Sequence, residues 1–402
     1  MYRSERPRIV PLNVKQAYGD ASLSVQVVTS VAELRNLAPD YRRLHEAVHN
    51  TSPFALLEWH IVWSSHFLNI DPNIEDRLNV MVVRDAAGAC VAVVPFVFSR
   101  RNFGPFTLVS GELLGADPST TESRGPLVEP GYEIPVLQAV RRRLYQERDW
   151  AWIHWADVTG PLYDALAADG DLEIRPEAPG YVIDLPSSWA DFHRGLKRNI
   201  RESLRHCYNS LKRDGHRFEF EVAREPGDVR RAVDRFFELH RRRAAMSGTV
   251  GHADHFVSQV SQRFLHAVCQ ELAVRGSVRV FQLRIGGDIV ASRIGFVVGD
   301  SLYFYYSGFD PTWAKYGVMT TTIAEALKYA INHGLKAANM SRGTDPSKTR
   351  WGPRVVVFAG AMEQRRRLSS RIAYSCYRIA SSGKFLPGWI SRPLGKARRA
   401  WS

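Results

Sequence analysis

The residues best equipped for chemistry gather between positions 301 and 352 of this 402-residue chain. Lys315, Tyr316, Gly317, Val318, Met319, Thr320 and Thr321 make a helix start with no acid before Glu325. Free N–H groups, the positive end of a helix dipole and a nearby lysine make such a start receptive to an anion. Beyond the next strand come Ser341, Arg342, Gly343, Thr344, Asp345 and Lys348. Arg342 and Lys348 suit a carboxylate, a phosphate or another group of a bound molecule, with Ser341 beside them; as surface charges they need no partner at all. His240 closes an amphipathic helix ahead of Arg241, Arg242 and Arg243. It is a candidate general base where it faces a cleft and a structural residue otherwise. Asp310 ends the central strand, as a catalytic carboxylate or as a turn cap. Tyr303, Tyr305 and Tyr306 share a strand whose alternation serves a core and a cleft face, and Tyr305 and Arg241 are candidate substrate contacts. The pattern predicts a site for a phosphorylated cofactor. No metal-ligand constellation, nucleophile motif or Ser/His/Asp order stands out.

These groups need a strand at 302–309, a loop at 310–316, a helix opening at Gly317 and a second strand at 336–340. Met319, Ile323, Leu327 and Ile331 recur every four residues on one helical face, and Gly334 stops the helix. Upstream, helical spacing covers 229–245 and 256–275. Strands at 278–285, 289–298 and 302–309 are joined by Gly286-Gly287-Asp288 and Gly299-Asp300, turns that favour an antiparallel meander. A last strand is expected at 355–360. The first half shows the same order, β-α-α-β-β-β-α-β-β, from 24 to 157. The fold class is therefore α/β (α+β): two similar folds, each a mixed sheet with an antiparallel meander and flanking helices.

Forty-five per cent hydrophobic and 24% charged residues describe a globular chain, and its length suits two domains. Four scattered cysteines read as idle thiols in a reducing compartment. No apolar run reaches the roughly 18 residues of a spanning helix, and the first residues carry no signal-type segment. The expected location is cytoplasmic. The net charge of +13 is concentrated at Arg194–Arg213, at Arg241–Arg243 and after Gln364, which favours anionic partners. Residues 364–402 have no acid after Glu363 and interleave arginines with aromatics. Leu368, Ile372, Cys376 and Ile379 give an apolar helical face there. It suits either packing on the second half or a peripheral contact with an anionic membrane.

Several fragments in fixed order carry a resemblance. They are Phe236-Phe237-Glu238-Leu239-His240-Arg241, Gly286-Gly287-Asp288-Ile289-Val290-Ala291, YFYYSGFD from Tyr303, and Arg342-Gly343…Lys348…Trp351-Gly352, with Pro53-Phe54…Glu58-Trp59 and Val94-Pro95-Phe96 before them. Together they resemble the GNAT acetyltransferase fold in its tandem, FemAB-type form, and more narrowly the acyltransferases grouped with the cellulose-biosynthesis protein CelD. The resemblance implies a flexible leader at 1–20, a non-catalytic GNAT-like domain at 21–180 that walls the acceptor cleft, a catalytic GNAT domain at 181–363 and a basic tail at 364–402. It implies a splay between the two strands of the motif, with the pantetheine arm of coenzyme A in the gap and its pyrophosphate on the helix after Tyr316. The loop departs from the family pattern in having one glycine. Glu122, Glu129, Pro130 and Glu133 make the matching entrance of the first half hostile to phosphate.

The implied activity is N-acyl transfer, without a metal, from acyl-CoA (acetyl-CoA) to a small-molecule amine, an amino sugar or an envelope precursor, directly in a ternary complex. Two alternatives remain: aminoacyl transfer from tRNA, as in FemAB-like proteins, and a non-catalytic role in polysaccharide assembly.

Overall fold

The computed structural model describes residues 23–381 except 50, 104–105, 118, 148, 169–171 and 247–251. The expected leader and the part of the tail beyond 381 lie outside the described residues. In the first half, β1 (Ser24–Val28) leads into α1 (Val31–Arg35), α2 (Ala38–Val48) and α3 (Leu57–Phe67). Then follow β2 (Ile74–Arg84), β3 (Cys90–Phe103), β4 (Phe106–Leu113), β5 (Leu127–Val128), α4 (Glu133–Gln146), β6 (Trp152–Val158), α5 (Gly160–Ala167) and β7 (Glu173–Pro176). β8 (Gly180–Asp184) closes the first half, and the second opens with α6 (Trp189–Gly195), α7 (Arg198–Arg213) and β9 (Phe218–Ala223). It continues through α8 (Pro226–Ala244), α9 (Gln259–Val274), β10 (Val278–Ile285), β11 (Asp288–Val298), β12 (Ser301–Phe309) and α10 (Val318–Asn332). The chain ends on β13 (Ala337–Arg342), α11 (Pro346–Thr349), β14 (Arg354–Val356), β15 (Ala359–Gln364) and α12 (Leu368–Ser381).

Two mixed sheets result, as the alternating and helical patterns predict. One runs β1-β2-β3-β4-β6-β15-β7 with β5 beside β3; the other runs β14-β8-β13-β12-β11-β10-β9. Pairing is parallel only between β4 and β6 and between β12 and β13. The single strand expected at 355–360 is in fact two. β14 stays at the edge of the second sheet beside β8, whereas β15 crosses to the first sheet and lies between β6 and β7. Reciprocally, β8 leaves the first half and pairs with β13. Each half therefore completes the sheet of the other. A local periodicity specifies a strand but not the sheet it joins, so the exchange has no signature in the sequence.

The halves also share a core. Trp59 of α3 is fully buried and meets Phe264, Phe296 and Tyr305 edge-on at 5.4–6.1 Å, while Phe54 meets Tyr303 at 5.1 Å. Such edge-to-face contacts add about 0.5–1.5 kcal/mol each to the area they bury. On the other face of the second sheet, α6, α7 and α10 cover Phe281, Leu302 and Phe304.

α12 corrects the helical face read for the tail at Leu368 and Ile372; the side chains of Cys376 and Ile379 lie outside the described residues. The helix packs through Tyr374 and Tyr377 on Trp152, at 5.6 and 5.0 Å, against the first sheet rather than the second half. Leu368 and Ile372 point outward, 76% and 56% exposed. Aromatic area, larger than a leucine's, decides which side of the helix is buried.

Candidate functional site

β12 and β13 hold register only at Ser301–Ala337, Leu302–Ala338 and Tyr303–Asn339. β12 then continues to Phe309 and β13 to Arg342 without pairing to one another. Ser341 takes a left-handed backbone, φ 66°, at an irregularity in the β13–β8 ladder, which turns the end of β13 away. The strands part around a cavity of about 650 Å³. Tyr305, Tyr306 and Ser307 form one wall, and Ser341, Arg342 and Gly343 the other. Met319, Thr320 and Ile323 of α10 close one end. On the remaining side α8 comes so close to β12 that a Cβ on Gly308 would lie 2.3 Å from the backbone N of His240. Only glycine permits that approach.

The first half reaches into this cavity. After β4 the chain crosses over β12, anchored by Asp117, whose carboxylate accepts from Trp63 Nε1 at 2.9 Å and Thr121 Oγ1 at 2.8 Å. Three tyrosines of β12 then hold the crossing segment. Tyr306 donates to Ser119 O and Tyr305 to Thr120 O, both at 2.5 Å, and Tyr303 donates to Glu122 Oε2 at 2.6 Å. Glu122 thus lines the cavity, with Ser119 and Thr121 of the same segment and Ala178. Burial raises its pKa, against the pull of the Lys348 charge and the Tyr303 hydrogen bond. The sequence reading placed Glu122 at the mouth of a first-half helix. Its actual place depends on a contact 181 residues away.

Arg342 also joins the halves. It ion-pairs with Asp157 and, at 3.0 Å, with Glu177. It donates to Glu122 O at 2.9 Å and lies over the ring of Phe358 at 4.7 Å. The corresponding gap between β4 and β6 of the first sheet is filled with charge. His154 Nδ1 is 3.0 Å from Glu112 and its Nε2 3.6 Å from Glu177. Burial opposes a charged ring there, but the Glu112 carboxylate and the hydrogen bonds of both acids outweigh it and push His154 up to about 9.

Of the residues singled out in the sequence, His240, Tyr305, Met319, Thr320, Ser341, Arg342 and Lys348 line the cavity. His240 Nδ1 faces Ser307 O at 3.0 Å, an acceptor only, so that nitrogen carries the hydrogen; Nε2 accepts from the His255 N–H at 3.4 Å. Burial lowers its pKa, and the neutral ring is held at both nitrogens. Lys348 donates to Ser341 Oγ at 2.7 Å and to Arg342 O.

The others stand apart. Asp310 caps the turn through the Thr312 N–H and pairs with Arg242 at 2.7 Å. Arg241 is exposed. Exposed Lys315 lies over the ring of Tyr316, whose hydroxyl bonds Asp214. Tyr316, Val318 and Thr321 are buried. Gly317 takes φ 62° with Cys207 of α7 so near that a Cβ would be 2.5 Å from its sulfur. The seven-residue helix start is thus mostly packed on α7, and only Met319 and Thr320 meet the cavity. Local spacing identified the turn, but the helix laid across it lies more than a hundred residues earlier. Sequence reasoning missed Glu122, Arg243 and Arg293 as cavity residues. The run Arg241–Arg243 was its one available signal, and only the third arginine turns inward.

Residues 198–349 match the model of the acetyltransferase (GNAT) domain, which supports a transferase of that type for the second half. No curated protein matches the chain. Among solved structures, FemX is 12% identical over 88% of this chain and 99% of its own, with a TM-score of 0.61. A conserved protein of unknown function from Bacteroides thetaiotaomicron is 10% identical over 85% of this chain and 100% of its own, with a TM-score of 0.51. These likenesses establish the fold. A tandem GNAT protein of the clavulanic acid biosynthesis pathway is more distant, 13% identical over 85% and 98%, with a TM-score of 0.44.

Proposed function

We propose that the protein is an N-acyltransferase that moves an acyl group from acyl-CoA to the amine of a small molecule, amino sugar or envelope precursor in a ternary complex. The CelD-like fragments of the second half support the polysaccharide or envelope direction. The observation that carries the reading is the parting of β12 from β13 beyond Tyr303, onto a cavity that also meets the start of α10. A narrow, amide-bearing arm fits that gap. Its phosphates would meet Thr320 and Arg350, the latter bonded to Ser203 of α7; the packed segment 315–318 offers them less. Acyl-CoA supplies a thioester-activated acyl group. Glu122, steadied by Tyr303, takes the proton that the amine loses as its nitrogen bonds the acyl carbon, and can return it to the departing sulfur. Lys348 offers its ammonium to the carbonyl oxygen as charge develops there. A carboxylate with a raised pKa suits this task, since proton transfer is most effective near the working pH.

The test is thiol release from a panel of acyl-CoAs and amines by the full-length protein. Glu122→Gln should lower kcat by about 10²–10⁴-fold while the fold and coenzyme A binding persist. No thiol release from any pair, with no stabilisation by coenzyme A, would refute the proposal.

The aminoacyl-tRNA reading draws on the exposed Arg194, Lys197, Arg198, Arg205, Lys212 and Arg213 of α6 and α7. Purified protein free of RNA and inert toward charged tRNA would dismiss it. Peripheral membrane contact is supported by outward-facing Leu368 and Ile372 beside exposed Arg366, Arg367 and Arg371.

A further inference from the structure

The cavity holds cations that the protein itself leaves unbalanced. Arg293 of β11 is 7% exposed and its Nε has no hydrogen-bond partner. Among the described residues no carboxylate lies at ion-pair distance from it. Its guanidinium rests over the ring of Phe304 at 4.8 Å, which orients the group without neutralising it. Arg243, from the last turn of α8, donates to Ser307 Oγ at 2.9 Å and to His252, not to an acid. Burial and the Arg243 charge push His252 down to about 4, so its ring is neutral and accepts that bond. Lys348 is engaged with Ser341 and the backbone.

Among the described residues, neither nearby acid lies at ion-pair distance from Arg243 or Arg293. Glu122 accepts from Tyr303, and Asp345 caps the Ser347 N–H at 2.7 Å. Arg342, by contrast, has both Asp157 and Glu177. The imbalance therefore belongs to Arg243 and Arg293. Burial lowers both arginines to about 10. A buried charge without a counter-charge is disfavoured unless a ligand supplies one.

We propose that Arg293 and Arg243 form a subsite for a compact oxyanion, a carboxylate or phosphate group, carried by the acceptor. The acceptor is then an anionic amine, such as an amino acid or an amino-sugar phosphate. That this group belongs to the acceptor rests on the transfer reading; the subsite itself does not. Its position supports the assignment. Arg293 lies opposite Ser307 in the β11–β12 register, and Arg243 of α8 donates to the hydroxyl of that same Ser307, so the two guanidinia meet at one point of β12. The anion subsite thus gathers at Ser307, whereas Arg350 is tied to Ser203 of α7.

The full-length protein, without acyl-CoA, is titrated with inorganic phosphate and with succinate at matched ionic strength, with sodium chloride as control. Calorimetry and thermal unfolding are the readouts. At least one anion should bind saturably and raise the Tm, as a ligand of the folded state must. Phosphate alone would indicate a phosphorylated acceptor, and succinate alone a carboxylate. Arg293→Met should weaken binding by about tenfold or more and, without anion, unfold no earlier than the wild type. Arg243→Gln should weaken it as well. Absence of saturable binding overturns the subsite. So does unchanged affinity in folded Arg293→Met, or, if that variant does not fold, unchanged affinity in Arg243→Gln. Thiol release from acyl-CoA is measured on the same preparations. Anion binding without release would sink the transfer reading and leave the subsite, and release without anion binding would do the reverse.

Discussion

Arg342→Met should destabilise the protein, although a charged residue just past a strand end reads as surface. Its side chain is 15% exposed, and Asp157, which it meets, is 3% exposed. Removing the cation leaves a buried carboxylate whose one remaining close donor, among the described residues, is the Arg124 N–H at 2.5 Å. Taking one partner from a buried pair costs about 3–5 kcal/mol. Methionine restores part of the contact with Phe358, so the lower end, about 3 kcal/mol, is expected. At about 2 °C per kcal/mol, the Tm falls by roughly 6 °C.

Two further measurements identify the cause. Asp157→Asn added to Arg342→Met should recover most of the loss, because the unpaired charge is then gone. The deficit should also shrink as pH falls. Burial already raises the pKa of Asp157, with its hydrogen bond to Glu177 adding to that, and without Arg342 it rises further. The deficit is thus full above the folded pKa of the variant and is lost as pH falls to that of the wild type, about 7, below which Asp157 is protonated in both folded proteins. Calorimetric scans between pH 5 and 8 are the assay. A single variant within about 0.5 kcal/mol of the wild type throughout that window, the range of ordinary surface changes, would refute the argument. A double variant no more stable than the single would refute it too.

His154 gives a pH dependence of the opposite sense. Its folded pKa of about 9 lies above the ordinary 6.5, so its stabilisation is complete below about 6.5 and is lost as pH rises through 9. His154→Gln should flatten the Tm profile over that window, and an unchanged slope would exclude the assignment. The outward face of α12 predicts salt-sensitive sedimentation with anionic liposomes, reduced by Leu368→Ser with Ile372→Ser. Absence of binding at low salt removes that reading.

How much of this was legible depended on the range of the contact. The Met319–Ile331 spacing, the Gly286-Gly287 and Gly299 turns and the aromatic strand are local, and each marked its element to within a few residues. The parting of β12 and β13 is what the family resemblance implies; element order by itself implies only their parallel pairing across α10. The use of each charge was not legible, because it depends on neighbours brought together by the tertiary fold. Asp310 and Arg242 neutralise each other outside the cavity, Gly317 lies against Cys207, and Arg342 binds acids of the first half. Arg293 sits in a strand that reads as core, and nothing in its spacing marks a buried, unanswered charge.

The two sheets carry one topology put to two uses. In the first, the space between the parallel strands is closed by Glu112, His154 and Glu177, and Arg342 from the other half completes that network. In the second, the equivalent strands part around a cavity, and its acid, Glu122, comes from the first half. β8 and β15 are exchanged beside these two places. Neither half alone would hold both the carboxylate and the open strand pair. Docking of the halves therefore assembles the cavity as well as the fold, and a substitution at the Arg342 junction should disturb Glu122, whose backbone oxygen Arg342 also holds at 2.9 Å.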